Sequence, residues 1–378
     1  MKPQTLLFID HAPALGGAEH SLLMILEHLD RARFEPHLAC TGGPLAERAA
    51  ALDIPIHVIP LPRLRRSLRA PQDLWAGIQA LTRTVRESEA ALLIANTVRA
   101  GFYAAPAARL MHAPFVWYRR DFWLGESQPR LLWGDTAVKA LLCAAATRII
   151  ANSHATARRH PCQRKITVVH NGIEIRRFDP TLDGTFFRQK HGIPLDAPVV
   201  GMVGRLCAIK GQARFLHIIA RVLQNIPETW GVLVGGPIFG EDNYQVRLQQ
   251  LAHALGIAQH VVFTGQLSDP TPALAAMDVF IQPGDPEAFG LVNVEAMAMG
   301  KPVVAFSHGA LPEIVVENET GFLIPSCDEA AMAEAIIALL RDPVRRAAMG
   351  QAGRARAETH FAIVRTVREV ETVLETVL

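Results

Sequence analysis

Nowhere does this chain of 378 residues hold the roughly 18–20 consecutive apolar residues that a membrane-spanning helix needs. Its opening, Met1-Lys2-Pro3, runs at once into Thr5-Leu6-Leu7-Phe8-Ile9-Asp10. That run is too short and too acidic at its end for a secretory leader, and reads as a first buried strand. Cysteine is scarce: five residues, at positions 40, 143, 162, 207 and 327, odd in number and never spaced CxxC. This argues against a disulfide framework and a zinc site, and for a reducing cytoplasm. No Asp-x-Asp occurs, so a common hard-metal carboxylate pair is missing. No strand is followed by G-x-G-x-x-G, and Gly201 and Gly204 are spaced wrongly for it, which counts against a nicotinamide dehydrogenase.

What is present is an apolar half and a charged fifth, enough for a sizeable core and against disorder. The length suits two domains. Short apolar runs (6–9, 37–40, 54–59, 91–95, 115–118, 148–152, 166–169) alternate with helical patterns. Glu19–Leu29, for example, sets Leu22, Ile25, Leu26 and Leu29 on one face. A cluster of Gly and Pro over 172–198 interrupts the alternation. It restarts with runs at 199–203, 231–234, 260–264, 278–281 and 302–305, and 328–378 reads as helical. The pattern predicts an α/β protein with two Rossmann-like, doubly wound domains and ligand at the carboxyl ends of the strands. Residues 1–175 form the first domain, 176–198 a linker and 199–360 the second domain. The net charge of +2 divides into +8 over 1–180 and −6 over the remainder, an asymmetry that fits different partners for the two halves or an ordinary Arg-rich surface.

The segment Asp278–Ser307 carries the most chemistry. A strand leads into a Pro/Gly/Asp-rich loop and a helix starting near Gly290, whose unpaired N–H groups and positive dipole end form a ready anion site. Glu295 lies one turn into that helix among apolar neighbours, where a carboxylate needs partners such as two ribose hydroxyls, or a structural Arg. Arg205 and Lys210 follow the end of strand 199–203, where two cations can neutralise a diphosphate; alternatively they are a solvated surface pair. Gly16-Gly17 opens the first helix and lets backbone approach a ligand, or makes a plain strand–helix turn.

Glu287 and Glu295 are spaced E-x7-E, and PEAFGLVNVEAMAMGKPVV around them closely resembles the signature of glycosyltransferase family 4, retaining enzymes of the GT-B architecture. Gly16-Gly17-Ala18-Glu19, Ile150-Ala151-Asn152-Ser153, Val168–Glu174, Val203-Gly204-Arg205-Leu206 with Lys210-Gly211, Val234–Pro237, Val262–Gly265 and Gly309-x-x-Pro312-Glu313 follow the family's order. The resemblance spans nearly the whole chain and is strongest over 199–325.

It implies two domains facing across a cleft, with 361–378 a helix returning to the first. It also implies transfer of a sugar from a UDP- or GDP-sugar to a lipid-linked or envelope-polysaccharide acceptor. Glu295 is implied to hold the donor ribose and Glu287 the sugar hydroxyls. The backbone of Ala288, Phe289, Gly290, Leu291 and Val292 would meet sugar and diphosphate, Gly16 and Gly17 would face the donor, and Pro237 and Gln266 would border the base. Arg205, Lys210 and Glu287 are the catalytic candidates, with no metal and no cofactor.

One departure stands out. Where many members carry His-Asp, this chain has Arg120-Asp121, and an arginine cannot serve as general base at neutral pH. Arg120, Asp121 and His11 are candidates for sugar or acceptor contact; alternatively Arg120 forms a structural salt bridge with Asp121 or a neighbouring acid.

A GT-B-fold nucleotide-sugar epimerase and a noncatalytic nucleotide-sugar-binding scaffold are the alternatives. Arg63, Arg65, Arg66 and Arg69, interleaved with Leu61, Leu64 and Leu68, suit an anionic membrane surface; alternatively the loop meets an anionic soluble acceptor or only water. That fits a cytoplasmic protein peripheral to the membrane. The loop has no aromatic residue to stack on bases, so nucleic acid is not an expected partner.

Overall fold

The computed structural model describes residues 2–12, 15–62, 69–122, 135–236 and 242–378. The chain divides into two compact units: 1–172 together with 363–378, and 173–362.

In the first unit, seven strands form one parallel sheet: β1 (Gln4–Ile9), β2 (Phe34–Cys40), β3 (Ile56–Val58), β4 (Leu92–Ala95), β5 (Phe115–Arg119), β6 (Arg148–Ala151) and β7 (Ile166–Val168). Their order is β3-β2-β1-β4-β5-β6-β7. Leu6, Leu7, Phe8 and Ile9 are all buried, because helices cover both faces and a strand so placed is apolar at every position. The helix Gly17–His28 turns Leu22, Ile25 and Leu26 inward. The helix Ile363–Glu375 packs in the same core through Ile363, Val367, Val370, Val373 and Leu374, while Val364 points outward.

The second unit holds a six-stranded parallel sheet: β8 (Val199–Val203), β9 (Trp230–Val234), β10 (Val261–Gly265), β11 (Val279–Gln282), β12 (Val303–Phe306) and β13 (Gly321–Ile324), in the order β10-β9-β8-β11-β12-β13. Both sheets reverse direction beside their first strand, at β1/β4 and at β8/β11. Those are the switch points where open α/β sheets bind ligands. Among the described residues no helix is long and apolar enough to cross a membrane.

Three features differ from the sequence reading. Residues 176–198 are folded into the second unit: the helix Thr185–Lys190 packs on the helix Thr271–Ala276, and Arg188 donates to Ala276 O and Asp278. Glycine and proline there shape a packed segment and not a spacer. Strand β13 escaped notice because its four residues, begun by a glycine, carry too little periodic signal. Cys143 and Cys162, 19 residues apart, are joined by a disulfide, a single bridge where the cysteine count had argued only against a framework and for a reducing compartment. Cysteine parity says nothing of two residues that the fold brings together at the end of one helix and the turn ahead of β7.

Candidate functional site

At the carboxyl end of β8 the chain turns through Gly204-Arg205 and a short turn, Ala208–Lys210, into the helix Gln212–Leu223. The turn ends at Gly211, whose φ is +77°; a Cβ there would stand 2.4 Å from Pro283 O. Glycine is therefore required both by the backbone and by the closeness of the loop after β11. Asp285 N donates to Ile209 O at 3.0 Å and closes the two loops on each other.

This junction brings Lys210 to Glu287, with Nζ 2.6 Å from Oε2. Gln282, the last residue of β11, donates from Nε2 to the same oxygen at 3.1 Å. The loop carrying Glu287 is held from behind: Ala310 N donates to Glu287 O at 3.0 Å, and Gly309, at φ +56°, lets that carbonyl approach. His308 bonds Gly284 O through Nε2 at 2.7 Å.

Gly290, at φ +89°, caps the helix Leu291–Ala298. Phe289 is buried against Phe361, with ring centroids 5.9 Å apart. Ala288, Gly290, Leu291 and Val292 are partly accessible where the chain enters this helix. Glu295, half-buried within the helix, has its carboxyl pushed up to about 7. Burial is the main cause; Asp269 adds to it and Arg177 opposes it. Arg177 and Asp269 form an ion pair of their own at 2.9 Å.

Arg205 is exposed, and its carbonyl accepts from buried Gln212 at 2.8 Å. Gln266 is exposed beside Gly236. Pro237 lies outside the described residues. Lys210, Glu287 and the Gly290 cap thus come together. Lys210 is paired with Glu287, a contact the sequence does not indicate.

The switch point of the first unit is a buried polar network. Asp10, at the end of β1, accepts from Asn96 Nδ2 at 2.6 Å and from Ala12 N at 2.8 Å. Its carboxyl is pushed up to about 7, chiefly by burial and then by Glu19, against the pull of Asn96, the Ala12 amide and Arg120. Arg120, only 6% exposed, donates from Nε to Asn96 and from Nη1 to Ser21 at 2.6 Å and Asn171 at 2.9 Å. Burial lowers its pKa, and the neighbouring Tyr118, Asp10 and Glu19 oppose the fall.

A salt bridge between Arg120 and Asp121, one of the alternatives left open by the sequence, is not formed. Strand alternation sends successive side chains to opposite faces, so Arg119 takes Asp121, at 3.0 Å, and His160 as well. His160 is pushed down to about 3, by burial first and then by Arg119 and Lys139, so its ring stays neutral and accepts the Arg119 hydrogen bond. His11 bonds Thr97 Oγ1 at 2.7 Å. Gly16 donates its N–H to Glu19 at 2.8 Å, and a Cβ on Gly16 would sit 2.9 Å from that carboxylate. Its smallness thus serves the helix cap, while Gly17 is exposed.

Sequence reasoning missed Gln282, Asn96 and Ser21. Asn96-Thr97, polar residues directly after an apolar strand, were a readable signal.

Residues 15–177 match the model for Glycosyltransferase Family 4, and 183–356 the model for glycosyl transferases group 1. The chain is 34% identical over 215 residues to a lipopolysaccharide core biosynthesis mannosyltransferase, LpsB, of Rhizobium meliloti, covering 56% of this chain and 61% of that one. It is 39% identical over 193 residues to a GDP-mannose-dependent alpha-(1-6)-phosphatidylinositol monomannoside mannosyltransferase of Mycolicibacterium smegmatis, covering 48% and 49%. The matches therefore span about half to three-fifths of these relatives. The crystal structure of Anabaena Alr3699/HepE in complex with UDP superposes with a TM-score of 0.85 at 27% identity, over 99% of this chain and 100% of that one. The same protein with UDP-glucose gives 0.85 at 26%, over 98% and 99%.

Proposed function

The chain belongs to glycosyltransferase family 4, and on that premise we propose that it transfers a sugar, with retention and without a metal, from a UDP- or GDP-sugar to a lipid-linked or envelope-polysaccharide acceptor. The observation that carries this reading is the convergence of Lys210, Glu287 and the Gly290 helix cap at the β8/β11 switch point, with Glu295 inside the same helix. Glu295 takes the ribose hydroxyls, the amides from Phe289 to Val292 take the diphosphate, and Glu287 takes hydroxyls of the sugar. Arg205 and Lys210 meet the charge that grows on the leaving nucleotide, a role that needs no metal ion. The acceptor oxygen bonds the anomeric carbon as the bond to the diphosphate breaks, and the acceptor proton passes to the leaving phosphate.

The relatives favour such substrates. LpsB is named for lipopolysaccharide core and the Mycolicibacterium protein for a phosphatidylinositol mannoside, while HepE holds UDP and UDP-glucose. The first unit is the acceptor side in this proposal, and its basic character fits an anionic membrane surface. Arg63, Arg65 and Arg66 of the loop that suggested this lie outside the described residues.

A thermal-shift screen of nucleoside diphosphates and then nucleotide-sugars, in wild type and Glu295→Ala, tests the donor site. Stabilisation by UDP or GDP in wild type and its loss in the variant is expected. Equal shifts in both proteins remove Glu295 from the site. Product analysis with and without acceptor separates transfer from epimerisation.

A further inference from the structure

We infer that Gln282 is a positioning residue of the donor site, fixing the Glu287 carboxylate so that one oxygen is kept for the protein and the other is offered to the sugar. The inference rests on the reading of Glu287 as the sugar-hydroxyl ligand.

Strand β11 is otherwise Val279-Phe280-Ile281, all buried, and Gln282 at its end is itself only 1% exposed. An amide so deeply placed costs free energy unless its hydrogen bonds are made. Its Nε2 has one partner, Glu287 Oε2, and its Oε1 has none. A carboxylate only accepts, so the amide must turn its NH2 toward Glu287, which fixes the side chain's orientation by chemistry. The strand thus holds a half-satisfied polar group, and the half that is satisfied is the one that reaches Glu287.

Lys210 Nζ falls on the same Oε2, at 2.6 Å. Both donors therefore load one oxygen, and Oε1 accepts nothing from the described residues. The carboxylate is approached from β11 on one side and from the Lys210 turn on the other, while its own backbone carbonyl is tied to Ala310 N. Remove Gln282 and a single flexible lysine holds the group. Lysine is a point charge on a rotatable stem and does not define a rotamer as a rigid amide does. The sugar-facing oxygen would then have to be ordered by the donor itself, at the expense of binding.

The test compares wild type, Gln282→Met, Gln282→Leu and Glu287→Ala by calorimetry, using UDP, GDP, UDP-glucose, UDP-galactose and GDP-mannose as probes. The readout is the ratio of the dissociation constant of each nucleoside diphosphate to that of its sugar. Gln282→Met is expected to leave UDP and GDP affinity unchanged and to lower that ratio about tenfold for the preferred sugar, as for loss of one hydrogen bond to a charged group. Discrimination among the sugars should narrow, and in turnover KM should rise more than kcat falls.

Both variants should fold, since each removes an unpartnered carbonyl along with the amide, and melting curves check this. Leucine serves if methionine does not fold. Equal effects on nucleoside diphosphate and nucleotide-sugar would mean a merely structural residue and overturn the inference. If Glu287→Ala abolishes the sugar's contribution while both Gln282 variants keep it, the inference fails alone. If Glu287→Ala also keeps it, or no sugar binds wild type better than its nucleotide, the reading of Glu287 fails first.

Discussion

Acidification from pH 8 to pH 6 should weaken nucleoside diphosphate binding through Glu295. Its carboxyl titrates near 7, against an ordinary 4.5, because the helix Leu291–Ala298 holds it away from water. At pH 8 about nine-tenths of it is ionised and at pH 6 about one-tenth. If only the carboxylate accepts from both ribose hydroxyls, the dissociation constant should rise about tenfold over that range, close to 1.4 kcal/mol. The stability of the unliganded protein runs the other way. The folded state holds this proton more tightly than the unfolded chain, so the group's contribution is fully favourable below about 4.5. It is lost as pH rises to 7 and beyond, by up to about 3 kcal/mol. Glu295→Gln stays neutral throughout: it should bind nucleotide weakly, with no pH slope from this position, and unfold less readily than wild type at pH 8. Calorimetry on both proteins at half-unit pH steps isolates the effect, because ionisation of the nucleotide's own phosphate is common to both. Equal slopes in the two proteins would refute the assignment.

Arg120→Ala should destabilise the first unit by about 3–5 kcal/mol in denaturant melts, because Asp10 and Asn96 lose a buried partner; Arg120→Lys should not restore it, lacking the fork whose Nε reaches Asn96 while Nη1 reaches Ser21 and Asn171. Gly309→Ala would place a Cβ 2.1 Å from Glu287 O, and should weaken nucleotide-sugar binding at least tenfold and lower the melting temperature. Gly192→Ala, at φ +68° with open space around it, should cost only about 1 kcal/mol and leave binding alone. Arg205→Ala should lower turnover more than donor affinity in steady-state kinetics, since leaving-group charge peaks in the transition state. Transfer should survive exhaustive EDTA and give a retained anomer by NMR coupling constants; rescue by Mg²⁺ after chelation, or inversion, would overturn the respective half.

Strand runs and helix faces were legible because each is a local pattern: Leu6–Ile9 and Val199–Val203 are apolar throughout, and Leu22, Ile25 and Leu26 share one helical side. The donor-side residues were legible for another reason, their ordered likeness to a family. Pairings across the fold were not. Nothing in the spacing says that Lys210 meets Glu287, 77 residues on, or that Arg120 turns away from its neighbour Asp121 to reach Ser21, 99 residues back. Gln282 was invisible for a related reason: a polar residue closing an apolar strand reads as its solvated end. Only the return of the following loop makes it an interior donor.

The chain leaves the first unit at Gly172 and re-enters it at Ile363, and the two crossings run side by side, Ile173 bridging to Ala362. During synthesis this makes folding order a matter of timing. The helix Ile363–Glu375 supplies core residues to the first sheet, yet the roughly 190 residues of the second unit must be translated before it exists, about 10–40 s at ordinary elongation rates. Over that interval the first seven strands emerge with the apolar surface meant for Val367, Val370 and Leu374 uncovered. The second unit, drawn from one continuous stretch, can close as soon as it is made. The domain that begins first is therefore finished last, and a nascent chain stalled inside the second unit would hold its partner half-built and prone to aggregate.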